Sequence, residues 1–164
     1  MTTAPARTLR PATGADLEPL VELRAAAMRP DLERLGRYDE HRVRQRMRDA
    51  FRPAHTSVLE VPGSPPPAGC LTVRPDGERP GTLVLEHFYL APALHGRGHG
   101  TALLRAALDA ADAEGLAVRL TVLQGSPARR LYERHGFGYE SEDSIDVHLH
   151  RPPHLPSHPR KATP

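Results

Sequence analysis

Very little in this sequence can cross-link it or bind metal through sulfur. Of its 164 residues one is a cysteine, Cys70, which excludes an intramolecular disulfide and a zinc cluster built on cysteines. Its setting, Ala68-Gly69-Cys70-Leu71-Thr72-Val73, reads as a strand, so a small buried core residue is its expected role. No apolar run approaches the roughly 20 residues of a membrane-spanning helix. The first 18 residues lack the apolar centre of a secretory signal. A cytoplasmic protein without membrane contact is therefore expected. Lysine is nearly missing: Lys161 is the sole one, so the basic side chains are almost all arginine. With abundant alanine and proline, this suggests a GC-rich genome. The 22 basic and 20 acidic residues leave a net charge of +2, and they interleave, which excludes the strong basic footprint of a nucleic-acid binder. The one dense basic run, Arg42-Val43-Arg44-Gln45-Arg46-Met47-Arg48, would wrap around a helix and reads as a solvated face.

What remains is an ordinary globular composition, 38% hydrophobic and 26% charged. The length suits one domain over residues 1–151. Pro152, Pro153, Pro156 and Pro159 make 152–164 a proline-rich tail expected to be disordered. Leu9 and its neighbours suggest an opening strand, and Thr13-Gly14-Ala15-Asp16 fits a capping box. Leu17, Leu20 and Val21 then follow at helical spacing, so a helix runs to about Met28 and is closed by Pro30. A second amphipathic helix is expected over about 40–51. Thr56-Ser57-Val58-Leu59-Glu60-Val61 and Gly69-Cys70-Leu71-Thr72-Val73 read as strands separated by the turn Pro62-Gly63-Ser64-Pro65-Pro66-Pro67. A longer strand covers about 82–90. The chain then alternates: glycine-rich loop, helix over about 98–114, strand over 117–123, helix from Ser126 to Gly136, and a final strand over 145–150. Leu104, Ala107, Leu108 and Ala111 form one stripe of the longer helix.

Two segments carry the chemistry. Leu90-Ala91-Pro92-Ala93-Leu94-His95-Gly96-Arg97-Gly98-His99-Gly100-Thr101 joins a strand to a helix. Its glycines let backbone N–H groups approach an anion, and the helix N-terminus adds partial positive charge. A diphosphate suits that geometry, yet the spacing matches neither a P-loop nor a dinucleotide fingerprint. In Ser126-Pro127-Ala128-Arg129-Arg130-Leu131-Tyr132-Glu133-Arg134-His135-Gly136-Phe137, Ala128, Leu131, Tyr132 and His135 share a helix face turned toward the protein. A tyrosine on that face is either packed core or a reagent.

Together the two segments resemble the GNAT superfamily of N-acetyltransferases. His95-x-x-Gly98-x-Gly100 matches its pyrophosphate loop, with histidine in place of the usual glutamine or arginine. Ser126-Pro127-Ala128-x-x-Leu131-Tyr132-Glu133-x-x-Gly136-Phe137 looks like its later motif, with serine in place of asparagine. Leu83-Val84-Leu85-Glu86-His87-Phe88-Tyr89-Leu90 is similar to the strand that holds the thioester. Leu9-Arg10-Pro11-Ala12-Thr13-x-x-Asp16-Leu17 is a common opening of the superfamily, and Ala26-Ala27-Met28-Arg29-Pro30 is similar to one of its bacterial branches. The resemblance implies an α/β (α+β) fold: a mixed, mostly antiparallel central sheet of about six to seven strands flanked by about four helices.

It also implies direct transfer of an acetyl group from acetyl-CoA to a primary amine of a small molecule or peptide. An alkyl ammonium titrates near pH 10, so a base must take its proton. Glu86 is the candidate base, through a water, with His87 as the alternative. Tyr132 is the candidate acid for the departing thiolate. Donor contacts are expected from Phe88, Tyr89, Leu90, His95, Gly96, Arg97, Gly98, His99, Gly100, Thr101, Ser126, Arg129 and Tyr132, with a backbone N–H of 88–90 at the oxyanion and Arg130 as a further phosphate contact. Acceptor contacts are expected from Met28, Tyr38 and Glu86, with Arg37 and Asp39 nearby. His148, His150, His154 and His158 lack zinc-type spacing and partners, so they read as a solvated surface and no metal is expected. The competing reading is a non-catalytic acyl-CoA-binding regulatory module. Free sheet edges could be covered in a homodimer.

Overall fold

The computed structural model describes residues 6–155. Among them, the strands β1 Thr8–Pro11, β2 Thr56–Glu60, β3 Gly69–Pro75, β4 Thr82–Leu90, β5 Ala117–Leu123, β6 Gly138–Glu142 and β7 Asp146–Arg151 form one sheet, in the order β1-β2-β3-β4-β5-β7-β6. All neighbours pair antiparallel except β4 with β5. The helices are α1 Leu17–Arg34, α2 Glu40–Ala50, α3 His99–Ala113 and α4 Ala128–Arg134. A mostly antiparallel seven-stranded sheet with four helices is the expected architecture.

Strand alternation assigns the faces. Val58 and Cys70 pack with Leu20, Val21 and Met47 of α1 and α2. Their neighbours turn the other way, Leu59 toward Leu94 and Leu103 and Leu71 toward Leu104 and Leu108 of α3. Helices thus cover both faces of β2 and β3, which explains why those strands read as continuous apolar runs. Cys70 is fully buried, and burial pushes its thiol up to about 12. It is a core residue with no accessible thiolate.

The first helix departs from its expected length. Pro30 lies inside α1, which runs on to Arg34. A proline removes one ladder bond, and the ion pairs Arg29–Glu33 (2.6 Å) and Arg34–Asp31 (3.0 Å) brace the turn that follows. Gly36 is the true terminator. It sits at φ 67°, and the bonds from Gly36 N–H to Glu33 O (3.0 Å) and from Arg37 N–H to Leu32 O (2.8 Å) close the helix. At the other end, Thr13 N–H donates to Asp16 Oδ2 at 2.7 Å, as the capping pattern predicts.

Asp39 caps α2, its Oδ1 accepting the Arg42 N–H at 2.8 Å. The basic run is a solvated face tied to α1 through Arg44–Glu22 and Arg48–Glu18, both 2.9 Å. At the far end, Arg151 grips Asp112 with two bonds of 2.7 and 2.9 Å. The tail begins without helix or strand at 152–155, where the His154 N–H also reaches Asp112 at 2.8 Å. The rest of the expected tail, His158 included, lies outside the described residues. No described helix is long and apolar enough to cross a membrane.

Candidate active site

The site arises where two parallel strands part. β4 and β5 pair over three positions, 82–84 opposite 117–119, and then diverge. A bulge between β3 and β4 follows just beyond the parting. Thr72 faces Glu86 and Cys70 faces Tyr89, so one residue of β3 stands opposite both His87 and Phe88. His87 adopts φ 49°, a left-handed conformation that costs a non-glycine residue energy and marks a bend. The opening is a cleft of about 640 Å³. Its walls are 85–90 of β4 and 120–123 of β5; its ends are the glycine loop with the start of α3, and Met28, Pro30 and Asp31 of α1.

At the loop end, Gly96 (φ 76°) and Gly98 (φ 83°) are left-handed. A Cβ on either would meet no protein atom within 4 Å, so both border open space. The first intrahelical bond of α3 runs from Ala102 N–H to Gly98 O (3.1 Å). Among the described residues, the N–H groups of 96–101 donate to no backbone carbonyl. Six free donors at the positive end of a 15-residue helix fit a diphosphate. The His95 ring turns back to Leu90 O (3.3 Å), leaving its backbone toward the loop. Leu90 N–H points into the parting: its neighbour Ala91 N–H donates to Ala68 O on the β3 side (2.8 Å), and successive strand N–H groups alternate sides.

Tyr132 stands in α4 across the cleft from β4. It is buried, with its ring 6.4 Å from Phe88 and 5.7 Å from Phe137. Burial pushes its hydroxyl above the ordinary tyrosine range, and Tyr89 adds to the shift. That hydroxyl has no hydrogen-bond partner among the described residues. Ser126 also lines the cleft, and its Oγ accepts the Ala128 N–H (3.3 Å), opening α4 as expected.

Beyond the bulge lies the polar end. Glu86 lines the cleft but is held by Arg74, with Nε to Oε1 at 2.7 Å and Nη2 to Oε2 at 3.3 Å. His87 is pushed down to about 4, chiefly by burial; Glu86 works against that shift and Arg24 and Arg74 add to it. The imidazole is thus neutral across the physiological range. Tyr89 is raised to about 12 by burial, with Arg24 opposing. Arg24 is itself buried: its Nε donates to Val43 O (2.9 Å), and its Nη1 donates to the Tyr89 hydroxyl.

Most expected donor residues meet here: Phe88, Tyr89, Leu90, His95, Gly96, Gly98, Gly100, Thr101, Ser126 and Tyr132 all line the cleft. Met28 and Glu86 meet at the acceptor end. Others do not line it. The Tyr38 ring lies under the Arg29 guanidinium at 4.8 Å, past the end of α1, and its neighbour Asp39 is occupied as the α2 cap. Arg97 is exposed. The His99 side chain is buried, with Arg7 Nη1 3.1 Å from its Nδ1, so the backbone is what it offers the loop. Arg129 turns to Glu133 (3.4 Å) and to the Tyr139 ring (6.0 Å). Sequence reasoning missed Arg24. Its signal was present: Arg24 falls four residues after Leu20, on the apolar stripe of α1, where an unpaired charge demands an explanation. Among the described residues no cluster of three or more His, Cys, Asp or Glu side chains could hold a metal.

The family model described as "Acetyltransferase (GNAT) family" matches residues 18–137. Of the solved structures similar to this chain, PaiA N-acetyltransferase from Thermoplasma acidophilum, in complex with coenzyme A, has a TM-score of 0.71 at 19% identity, covering 90% of this chain and 99% of that one. The ribosomal-protein-S18-alanine N-acetyltransferase from Escherichia coli has a TM-score of 0.65 at 17% identity, covering 92% and 96%. N-acetylglutamate synthase from Neisseria gonorrhoeae, complexed with coenzyme A and N-acetyl-glutamate, has a TM-score of 0.63 at 19% identity, covering 91% of this chain and 35% of that one. At such identities the likeness is one of fold. No curated protein sequence matches the chain. The family match spans most of the chain and includes the glycine loop, the bulged strand and Tyr132, and on that ground the protein belongs to the GNAT acetyltransferase family.

Proposed function

We propose that residues 1–151 act as one cytoplasmic, bacterial N-acetyltransferase domain, moving the acetyl group of acetyl-CoA to a primary amine by direct attack on the thioester. One observation carries this reading: a single cleft joins the free donors of 96–101 to Glu86 and His87, with Tyr132 facing β4 between them. The loop N–H groups would hold the donor's diphosphate. Leu90 N–H, turned into the parting of the strands, would hold the carbonyl oxygen as it gains charge. Glu86 would take the amine's proton through a water, in a position where Arg74 fixes its orientation. Tyr132 would supply a hydrogen bond to the leaving sulfur. The edge strands β1 and β6 leave room for a second copy of the chain.

Calorimetry with acetyl-CoA, followed by thiol release with a panel of primary amines, tests the proposal. Saturable binding with amine-dependent release is the expected result. Binding without release from any amine would favour the regulatory acyl-CoA module, and absence of binding would overturn both.

A further inference from the structure

Arg24 brings a full positive charge into the core beside the acceptor end of the cleft, and no carboxylate among the described residues pairs with it. The nearest acid in this corner, Glu86, is already taken by Arg74. The side chains around His87 therefore carry one uncompensated positive charge: Arg24 and Arg74 against Glu86.

Which ring proton His87 carries turns on where the Tyr89 hydroxyl donates. Arg24 Nη1 donates to the Tyr89 hydroxyl oxygen, which leaves the hydroxyl proton free to be given on. Two acceptors lie within reach, His87 Nδ1 at 3.4 Å and the Met28 sulfur at 3.5 Å. An imidazole nitrogen is much the better acceptor of the two. With Nδ1 accepting and the ring neutral, the ring proton sits on Nε2. That Nε2 is enclosed and has no partner among the described residues. It is a desolvated N–H donor without an acceptor, on a side chain that lines the cleft. Such groups are costly unless something binds them.

We propose that this corner receives an anionic oxygen of the acceptor, so that the acceptor is an amine that also carries a carboxylate, as a free amino acid does. His87 Nε2 is enclosed, so a small shift of the ring toward the cleft brings its N–H to the contact. Tyr89 and Arg24 are positioning residues: they hold the tautomer, and Arg24 supplies the charge that the carboxylate neutralises. The same bonds remove His87 as the base, since its lone pair is engaged by Tyr89, and leave Glu86 in that role. The proposal rests on the acetyl-transfer reading, but its site can be tested apart from turnover.

The kinetic test uses matched acceptors, each amino acid against the amine it yields on decarboxylation. The wild type should favour the amino acid in kcat/KM by about 10- to 100-fold, the range of a hydrogen bond to a charged group. That ratio should fall to within about 3-fold in Arg24→Met and in His87→Asn, asparagine being chosen because it tolerates the left-handed backbone. Wild-type enzyme that uses both members of a pair equally well overturns the proposal. The second test reads the ring itself by nitrogen-15 spectroscopy of the imidazole. Nε2–H is expected in the wild type, a tautomer mixture in Tyr89→Phe, and a shift of the Nε2–H signal on titration with glycine. An Nδ1–H tautomer, or no glycine-dependent shift, overturns it. Should no amine be acetylated while acetyl-CoA binds, the reaction reading fails and the spectrum still decides the carboxylate site. Should Arg24→Met not fold, Tyr89→Phe carries the test.

Discussion

Replacing Tyr132 by phenylalanine separates chemistry from packing, because the hydroxyl it removes bonds to nothing in the described residues. The ring contacts with Phe88 and Phe137 survive the change, so stability should move by less than about 0.5 kcal/mol. The catalytic loss follows from proton affinities. A thiol titrates near 8.5 and a tyrosine near 10, and burial pushes Tyr132 further up. Outright proton transfer to the departing thiolate is therefore uphill by at least about 2 kcal/mol. The hydroxyl helps instead as a hydrogen bond that strengthens as charge gathers on sulfur, worth about 1.5–3 kcal/mol. Tyr132→Phe should lower kcat by about 10- to 100-fold and leave the acetyl-CoA Kd almost unchanged. Steady-state thiol release and calorimetry on one preparation measure both. An unchanged kcat removes Tyr132 from the mechanism. A Kd that weakens as much as kcat falls makes it a binding residue.

Glu86→Gln should lower turnover by about 10²-fold or more; wild-type turnover would return Glu86 to a purely structural pairing with Arg74. Gly98→Ala should cost about 1 kcal/mol of stability for its left-handed backbone and weaken acetyl-CoA binding by about 10-fold or more, since the new Cβ points into open space over the loop; an unchanged Kd refutes the placement of the diphosphate. Asp112 is lowered to about 2, first by its bond to Arg151, so its contribution is complete above an unfolded value near 3.8 and fades as pH falls toward 2; Asp112→Asn should cost about 1–2 kcal/mol at pH 7 and flatten the acid limb of the melting curve over that window. His87→Val should cost about 2 kcal/mol more in urea unfolding than His87→Gly, because both lose the imidazole's contacts with Tyr89 but only the β-branched residue resists φ 49°.

The glycine loop and the α4 motif were legible in the sequence because their function depends on local backbone: glycines at fixed spacing, a serine and proline opening a helix. Strands β2 and β3 were legible because both their faces are covered and their runs are apolar, whereas β6, exposed along most of its length, carries no such signal and was not expected. Pro30 misled because its effect on a helix depends on what braces the next turn, here Arg29–Glu33 and Arg34–Asp31. Tyr38 sits next to Met28 on any sequence-based acceptor list, but α1 runs longer than expected and carries it past the cleft. The partners of Arg24, and the identity of the arginine that holds Glu86, were hidden for a different reason. Each rests on a contact between elements far apart in the chain, and no local pattern records it.

The bulge was the hardest feature to read, and it decides the chemistry. In a regular strand, residues three apart lie on opposite faces. Leu85 and Phe88 nonetheless pack in the same cluster with α3 and α4, while Tyr89 joins the cluster of α1 and α2. The extra residue has reversed the parity of everything after it. Without the bulge, Tyr89 would share the face of Leu85, and its hydroxyl could not meet Arg24. With it, β4 turns Phe88 toward α3 and α4 and Tyr89 toward α1 and α2, beyond the point where its edge parts from β5. No glycine marks the position; a histidine takes the left-handed conformation. A strained residue persists where its surroundings over-determine it, and here Arg24 and Tyr89 hold the ring whose backbone makes the bend. The network that aims the His87 side chain thus acts on the residue whose backbone makes the bend.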